Sequence, residues 1–443
     1  MKYLSFAVLL VLSLPGICQN IVLKNVSIVD GTGAAVRRNT DMFITNGVIQ
    51  GIGRTKAEGG TGRSANKPAT TVDMEGHFIM PLISNAHGHL GNVKDTTASS
   101  ANYTSANVRN QLQRYLRYGV GAVLSMGTEQ PLGVAIRDSS REGLIPGAIM
   151  YSAIYGFGVK DAVPPESAGF SHVYRPETAE EAIKEVDELA PLRPDVIKMW
   201  VDGNPTMKEE IYTAIIQEAH KKGIRVASHL YRLSDARKLV AAGVDIIAHS
   251  IRDSVIDEAF AQEIKKKNIV YIPTLSLDDF AFIYADDPGW VHDPFFRNAL
   301  EPGVYEMVTS PAYKERMKNS PASARERAAL RTAMKNLLIL HKAGVKIAMG
   351  TDSGAFPIRV QGFAEHLEME LMVEAGLTPL EAIRTATLNS ADLLKRDGSL
   401  AAGKEASFIV LNKDPSVNIR NTRDIKAIWV KGKAVRFSNP FNQ

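Results

Sequence analysis

Six residues of metal-binding type are spaced along the middle of the chain, each at or near the end of an apolar run. They are four histidines, one lysine and one aspartate: His87, His89, Lys198, His229, His249 and Asp352. A His-x-His pair on a strand places both imidazoles on one face, so both can bind the same ion. Imidazole and carboxylate ligands without a thiolate are typical of zinc or a similar first-row divalent ion. The sequence therefore predicts a metal centre.

Lys198 is the unusual member of this set, because it lies inside the apolar run of residues 196–200. A lysine at its ordinary pKa of about 10.4 is a cation and repels a metal ion. Reaction with CO2 converts it into a carbamate, an anion whose two oxygens can bridge two ions. Two metal ions about 3.5–4 Å apart can hold a hydroxide and lower its pKa. We therefore predict two divalent metal ions, with zinc as the expected metal, and a carbamylated Lys198.

Buried strands and amphipathic helices must position these side chains. Eight apolar runs are candidates for the strands: 78–86, 121–126, 148–154, 195–201, 225–229, 245–249, 269–275 and 345–350. Helical stretches such as 208–222 and 234–242 lie between them, and Gly243 and Gly344 stand where a helix-terminating glycine is expected. Alternating strands and helices indicate an α/β protein with parallel strands, and eight units indicate a (β/α)8 barrel. A nine-stranded, open, doubly wound sheet is the alternative.

The barrel interpretation explains why the six residues belong together. The C-terminal ends of barrel strands converge on one active site, and the six candidates lie at those ends. The connection between the seventh and eighth strands is long, and it carries acidic and aromatic residues over 278–296. A long connection of this kind is typical of a binding loop or lid, so we expect it to set specificity.

Short apolar runs separated by turns occupy both ends of the chain. Asn46-Gly47 between two such runs is a strong hairpin signal. Residues 406–411 and 425–430 show the same pattern of short apolar runs next to turns. We therefore predict one small β-domain assembled from both chain ends. The expected boundaries are 1–18 for a signal peptide, 19–77 and 400–437 for the β-domain, and 78–399 for the barrel.

The composition and the first residues restrict the class of protein. The chain has 443 residues, and 52 Lys+Arg against 48 Asp+Glu give a net charge of +4, too even for a nucleic-acid partner. Lys2 precedes a short apolar run, which is typical of a secretory signal cleaved before Gln19. We expect an exported, periplasmic or secreted protein with no stable membrane span after processing. An uncleaved anchor, or lipidation of the single cysteine Cys18, is the alternative.

These residues resemble those of the metal-dependent amidohydrolase superfamily over nearly all of residues 20–437. Within it, the chain is similar to imidazolonepropionase-related hydrolases and zinc-dependent Xaa-Pro dipeptidases. Besides the six ordered ligands, the stretches that carry the resemblance are DVIK at 195–198, IAHS at 247–250, MGTDS at 349–353 and ATLNSA at 386–391. The resemblance implies a (β/α)8 TIM barrel with a small β-sandwich domain built from both chain ends.

The resemblance also implies a role for each ligand. One histidine pair would bind each ion, with the carbamylated lysine between them: His87 and His89 at the first ion, His229 and His249 at the second, Lys198 at both. Asp352 would bind the first ion and act as the base that takes the proton of the bridging hydroxide and passes it to the leaving amine.

Three further residues are candidates for contact with the substrate. Tyr231 can donate to a developing oxyanion or can simply pack at the rim. His172 follows the third strand and is a candidate catalytic residue or an exposed loop histidine. Arg252 can bind a substrate carboxylate or form an ion pair with Asp253.

The first strand departs from the pattern of the superfamily, which commonly has Pro-Gly-x-x-Asp-x-His. The sequence here is PLISNAH at 81–87, with Leu82 in place of glycine and Asn85 in place of aspartate. Neither position is a metal ligand, but the support of His87 is expected to differ. Such support changes metal affinity or activity by about 10–100-fold.

The residues and the resemblance together predict a metal-dependent hydrolase of C–N bonds. Its small-molecule substrate would be a dipeptide, an N-acyl amino acid or a cyclic amide. A lactone or phosphotriester hydrolase with the same binuclear site is the alternative, because a fold does not determine a substrate. A mononuclear deaminase, against which Lys198 argues, and a non-catalytic binding protein also stay open, as does a homo-oligomer.

Overall fold

The computed structural model describes residues 20–53, 69–165 and 172–437, so the predicted signal peptide 1–18, with Cys18, lies outside the described residues. The strands are β1 (Asn20–Ile28), β2 (Arg37–Thr45), β3 (Val48–Ile52), β4 (Thr70–Asp73), β5 (Phe78–Pro81), β6 (Ile83–Gly88), β7 (Val93–Lys94), β8 (Thr97–Ala98), β9 (Val120–Ser125), β10 (Ile149–Ser152), β11 (Ile197–Trp200), β12 (Val226–His229), β13 (Ile246–Ala248), β14 (Val270–Ile272), β15 (Phe408–Leu411), β16 (Ile425–Val430) and β17 (Lys433–Ala434).

The α-helices of the described residues lie mostly between these strands. They are α1 (Ser105–Arg117), α2 (Leu132–Arg141), α3 (Ala179–Leu189), α4 (Glu209–Lys221), α5 (Leu233–Ala242), α6 (Glu258–Lys266), α7 (Leu275–Phe280), α8 (Pro294–Arg297), α9 (Val304–Thr309), α10 (Pro311–Lys318), α11 (Pro321–Ala343), α12 (Phe363–Glu374), α13 (Pro379–Arg384) and α14 (Ser390–Leu393). In the described part of the chain, none of them combines the length and the apolar character that crossing a membrane requires.

One sheet joins the two ends of the chain. Its order is β17-β16-β15-β5-β1-β2-β3, with β4 paired to β1. The ends meet where β5 and β15 run antiparallel, with Pro81 opposite Phe408. The predicted hairpin is present between β2 and β3, where Asn46 and Gly47 have φ of 52° and 78°, as a type I′ turn requires. The packing of this sheet as a sandwich stays a prediction.

The middle of the chain forms two parallel sheets, β10-β9-β6 and β11-β12-β13-β14. Isolated parallel bridges connect them, with Phe157 opposite Met199 at one edge and Tyr271 opposite Ile347 at the other. Segment 345–353 then returns to β6, because Ser353 is opposite Gly88. We call this series of pairings the strand circuit. The predicted α/β architecture with parallel strands is confirmed.

Two of the predicted elements differ in the structure. The single strand expected over 78–86 is wrong: β5 belongs to the chain-end sheet and β6 to the strand circuit, with Leu82 between them. The expected binding loop over 278–296 is largely helical instead, containing the end of α7, two 3-10 turns and α8. The start of α7 is stabilised because the two carboxylate oxygens of Glu368 accept hydrogen bonds from Leu275 N and Ser276 N, each 2.7 Å long.

Small apolar side chains fill the space beneath the strand ends. One buried cluster contains residues of six segments of the circuit, namely β6, β9, β12, β13, β14 and 345–350: Ala86, Ala122, Leu124, Ala227, Ile246, Ala248, Val270, Ile272 and Ala348. Ala227 and His229 are two residues apart on β12, so they share a face. The apolar cluster therefore supports the polar residues that stand above it at the C-terminal ends.

Asn336 of α11 holds the segment that follows β13. Its side chain is fully buried. It accepts a hydrogen bond from Ile256 N (3.0 Å) and donates to Ile251 O (2.7 Å) and Ser254 O (2.9 Å). A single side chain thus satisfies three backbone groups of the loop that carries Arg252.

We predict that Asn336→Leu lowers the free energy of unfolding by about 2–4 kcal/mol, because it leaves three backbone groups unpaired, two of them buried. Urea denaturation followed by circular dichroism measures this change. Lys335→Ala, at an exposed position one residue away, is the matched control and is expected to change stability by less than about 0.5 kcal/mol. Equal stabilities of the two variants would contradict the prediction.

Candidate metal centre

The structure gathers the six predicted ligands at the C-terminal ends of the strand circuit. His87, Lys198 and His229 belong to β6, β11 and β12, whereas His89, His249 and Asp352 lie one or more residues beyond a strand or bridge. Five of the six are buried, and only the side chain of His229 is appreciably exposed, at 22%. The site therefore has its open side near His229.

The closest group is formed by His87, His89 and Asp352, whose possible ligand atoms all lie within 4.8 Å of one another. Asp352 Oδ1 is 3.2 Å from His87 Nε2 and 2.9 Å from His89 Nε2. The other two imidazoles continue from this group: the ring centroids of His87 and His249 are 4.4 Å apart, and those of His249 and His229 are 4.3 Å apart. Four imidazoles and one carboxylate thus lie in one polar cluster.

Lys198 is fully buried, and its Nζ has no hydrogen-bond partner. Burial lowers the pKa of Lys198 to about 7, against the opposing effect of the charges on Asp352 and Asp202. A large fraction of this amine is therefore uncharged near neutral pH. A neutral, unpartnered amine is an unusual group in a protein interior, and it is the form that reacts with CO2.

The histidines are held in the form that binds metals. Burial, followed by the charge of Lys198, lowers the pKa of His87 to about 3. The pKa of His249 is also well below its ordinary value, first through burial and then through His229. A metal ion requires neutral imidazole, and both ring nitrogens of His87 are buried without a hydrogen-bond partner. The residues present fit a bound metal ion.

Three polar side chains contact ring nitrogens of the imidazoles. His89 Nδ1 lies 3.0 Å from the Thr128 hydroxyl, and His249 Nδ1 lies 2.8 Å from the Thr274 hydroxyl. On His229 the pattern is reversed: Nε2 is 3.3 Å from Asp202 Oδ1, and Nδ1 is buried without a partner. Such contacts orient metal-binding imidazoles. No sequence motif marks these three residues, so none of them is among the predicted site residues.

Asp352 is fixed by its backbone and by a guanidinium. Its φ of 57° is in the left-handed region, and His249 has a φ of 91°. Strained backbone at a non-glycine residue is typical of functional sites. Burial alone would raise the pKa of Asp352, but its contacts with Arg359, His87 and His89 hold it well below its ordinary value. Asp352 is therefore a carboxylate, and Arg359 is a residue that the sequence analysis missed.

Asn85 explains the departure at the first strand. Its Oδ1 accepts the backbone N–H of His87 (2.9 Å), and its Nδ2 donates to Glu365 Oε1 (2.6 Å) and Thr351 Oγ1 (2.9 Å). Glu365 lies on α12 and is fully buried. An aspartate at position 85 would place a second carboxylate against Glu365, whereas the amide of asparagine donates to it. The support of His87 is thus different in chemistry but complete.

The three predicted substrate contacts fall in two places. Arg252 forms an ion pair with Asp278 of α7, with Nε 3.1 Å from Oδ1, so the alternative pairing with Asp253 is wrong. Its guanidinium lies 4.7 Å from the centroid of the Tyr231 ring. His172 is exposed and stacks on Tyr155, with ring centroids 5.4 Å apart. Arg252 and Tyr231 therefore form one cluster, and His172 belongs to another.

Comparison with known proteins finds a curated relative for part of the chain. It is similar to ochratoxinase of Aspergillus niger, with 27% identity over 243 residues. The matched region covers 52% of this chain and 43% of that protein, so the chain matches less than half the length of this relative.

Solved structures match almost the whole chain. A Xaa-Pro dipeptidase with bound methionine has a TM-score of 0.73 at 19% identity, covering 95% of this chain and 100% of that one. The structure of A. niger ochratoxinase has a TM-score of 0.69 at 20% identity, covering 94% and 95%. Identities this low show the fold alone, which implies a barrel with an additional domain. The model of the amidohydrolase family matches residues 71–435, and the chain therefore belongs to that family.

Proposed function

We propose that the protein is a metal-dependent hydrolase of amide-type C–N bonds. Its scaffold would be a closed eight-stranded barrel with a β-sandwich beside it. The observation that carries the proposal is Lys198, a buried amine without a hydrogen-bond partner that lies over the Trp200 ring, close to His87, His249 and Asp352. A structural lysine would be paired with an acid or would reach the surface. This lysine does neither, so its environment favours a chemical role.

The residues divide naturally into two ion sites. We assign one ion to His87, His89 and Asp352, the other to His229 and His249, and both to Lys198 as its carbamate. When bound, two such ions supply a hydroxide nucleophile near neutral pH and polarise the carbonyl of the substrate. Zinc suits this nitrogen- and oxygen-only set, in which no thiolate takes part.

Carbamylation of Lys198 follows from its lowered pKa. The lone pair of the neutral Nζ forms a bond to the carbon of CO2, one C–O π pair moves to oxygen, and the nitrogen releases a proton to solvent. The product carries a negative charge on two oxygens. Burial disfavours the ammonium form of Lys198, whereas metal ions beside it would stabilise the carbamate.

Asp352 is suited to move the proton. Its carboxylate is charged, with Oδ1 toward the two histidines and Oδ2 toward Arg359. An oxygen so placed can accept a proton from the attacking nucleophile and return it to the leaving amine. Arg359 holds the carboxylate in one orientation, which keeps the accepting oxygen, Oδ1, directed toward the two histidines.

The environment of Arg252 favours a substrate that carries a carboxylate. Its guanidinium is 7% exposed, stacks on Tyr231 and is oriented by Asp278. Asp278 is fully buried, and burial raises its pKa to about 6, while the charge of Arg252 opposes that shift and balances the carboxylate within the pair. A dipeptide or an N-acyl amino acid would place its carboxylate here. A Xaa-Pro dipeptidase is among the proteins of the same fold.

A hydrolysis screen tests the proposal. The mature protein, loaded with zinc and bicarbonate, is assayed on dipeptides, N-acyl amino acids, cyclic amides, lactones and phosphotriesters. We expect turnover of an amide class, and a loss of at least about 100-fold in kcat in Asp352→Asn, because the proton acceptor is removed. Glu180→Gln, at an exposed position on α3, is the control. Turnover of lactones or phosphotriesters alone would refute the amide, and silence without bound metal would favour a binding protein.

Metal content tests the role of Lys198. We expect about two zinc ions per chain in the wild type and one or fewer in Lys198→Ala, because the bridging anion is lost. Plasma mass spectrometry counts the ions, and a carbamate carbon resonance after loading with ¹³C-bicarbonate reports the modification directly. Lys342→Ala, at an exposed position on α11, should keep both ions. Two ions and full activity in Lys198→Ala would exclude the carbamate.

Paired substrates test Arg252. For a substrate with a free carboxylate, Arg252→Met is expected to raise KM by about 10–100-fold, the range for losing a charge-assisted hydrogen bond. The same substrate as its terminal carboxamide should show little difference between the two enzymes. Arg232→Met, at an exposed position nearby, is the control. An equal rise in KM for the acid and the amide would mean that Arg252 acts on structure and not on the carboxylate.

A further inference from the structure

A second buried polar cluster lies beside the metal centre and has no part in the roles described so far. Glu129, Tyr103 and Asn92 are 1%, 7% and 0% exposed. Each has one side-chain oxygen that is buried without a hydrogen-bond partner: Glu129 Oε1, Tyr103 Oη and Asn92 Oδ1. Buried polar atoms are almost always paired, so three unpaired oxygens in one place need a ligand or water.

Several contacts show that these residues are neighbours. A methyl group built on Gly133 would lie 2.6 Å from Tyr103 Oη and 3.2 Å from Glu129 Cγ, which puts both side chains around one point. The hydroxyl of Thr128, the residue before Glu129, contacts both Asn92 Nδ2 (2.8 Å) and His89 Nδ1 (3.0 Å). The cluster is therefore one residue away from a predicted metal ligand.

The carboxylate of Glu129 is held with one oxygen free. Its Oε2 accepts the backbone N–H of Gly127 (3.2 Å), and its own backbone N–H donates to Ile154 O (3.2 Å). Glu129 follows β9, so the side chain is fixed at the C-terminal end of the strand circuit. A buried carboxylate oxygen without a hydrogen-bond partner is costly, and a ligand that donates hydrogen bonds removes that cost.

The surroundings of Glu129 favour a cation as the ligand. Tyr155 pairs with Thr128, the residue before Glu129, in an isolated bridge, and Tyr103 Oη lies around the same point as the Glu129 side chain. Carboxylate oxygen together with aromatic rings is a typical environment for an ammonium group. Tyr155 is only partly buried and stacks on the exposed His172, so the cluster extends from the metal centre toward the surface.

The strand circuit places this cluster opposite Arg252. Glu129 follows β9, and Arg252 follows β13 by four residues. Going round the circuit, three strand segments separate β9 from β13 in either direction: β10, β11 and β12 one way, and β6, 345–353 and β14 the other. An anionic and a cationic side chain thus follow strands on opposite sides of the circuit, and His87 and His229 lie on strands between them.

We propose that Glu129, assisted by Tyr103 and Tyr155, binds the protonated amino group of the substrate, so that the enzyme acts on free dipeptides in preference to N-acyl amino acids. This inference rests on the proposed function for its kinetic part only. A zwitterionic dipeptide matches the two charges, with its ammonium at Glu129 and its carboxylate at Arg252. The amide between those two groups then lies at the histidines.

A binding measurement tests the subsite without relying on turnover. n-Butylammonium chloride and the uncharged n-butanol are titrated separately into the metal-loaded protein by calorimetry. We expect saturable binding of n-butylammonium alone, weakened at least about 10-fold in Glu129→Gln, which keeps the shape and removes the charge. Glu185→Gln is the matched control, because Glu185 lies on α3 and also has a buried carboxylate oxygen without a partner. It should bind like the wild type.

Kinetics on a matched substrate pair tests the same point in catalysis. For L-alanyl-L-leucine, Glu129→Gln is expected to raise KM at least about 10-fold, with little change for N-acetyl-L-alanyl-L-leucine. An equal change for both substrates would overturn the proposal in favour of a structural role.

The binding measurement distinguishes a failure of this inference from a failure of the proposed function. Absence of n-butylammonium binding to the wild type, or equal binding by Glu129→Gln, would mean that buried water alone satisfies these oxygens, and would overturn the inference. Because the wild-type comparison of the ammonium with the alcohol needs no variant, it decides even where Glu129→Gln fails to fold. Failure of the proposed function would appear separately, as an absence of amide turnover while n-butylammonium still binds.

Discussion

The candidate metal centre depends on one backbone junction. The carbonyl oxygen of His87 accepts hydrogen bonds from Thr351 N (3.0 Å) and Asp352 N (2.7 Å), across more than half the length of the chain. This junction closes the strand circuit and brings the carboxylate of Asp352 to the imidazoles. It needs Gly350, because a Cβ there would lie 2.5 Å from Ile272 Cγ2 and 2.7 Å from His87 Cβ. The polar network around Asn85 and the left-handed backbone of Asp352 both follow from this close approach.

Burial then determines the charge of each group. The apolar cluster below the strand ends removes water from His87, His249 and Lys198, and desolvation is the largest cause of the lowered pKa of all three. Asp352 lies beside the same groups but remains charged, because Arg359 and the two histidines contact its carboxylate. One polar cluster thus holds neutral nitrogen ligands and a carboxylate, which is the combination that a divalent ion requires.

The sequence predicted the parts of this arrangement that periodicity and chain order encode. Parallel strands alternating with helices, the β2–β3 hairpin, and the gathering of six ligand-type residues at the strand ends all follow from local patterns. Contacts that depend on packing could not be predicted. The pairing of Arg252 with Asp278 needs the helical form of α7, and the 78–86 run is divided between two sheets because long-range pairing decides it.

The charged side chains on the two sides of the strand circuit differ in sign, so they would orient a bound ligand. Arg252, stacked on Tyr231, is partly neutralised by Asp278, whereas Glu129 on the other side has an oxygen without any partner. A ligand that binds at both ends gains more at Glu129, because an unpaired buried charge is the costlier one to leave. If the metal ions supply the chemistry, then the surrounding charges decide which amide is presented to them. Specificity would then depend on residues that follow β9 and β13, together with Asp278 of the helical connection after β14, where sequence analysis places it.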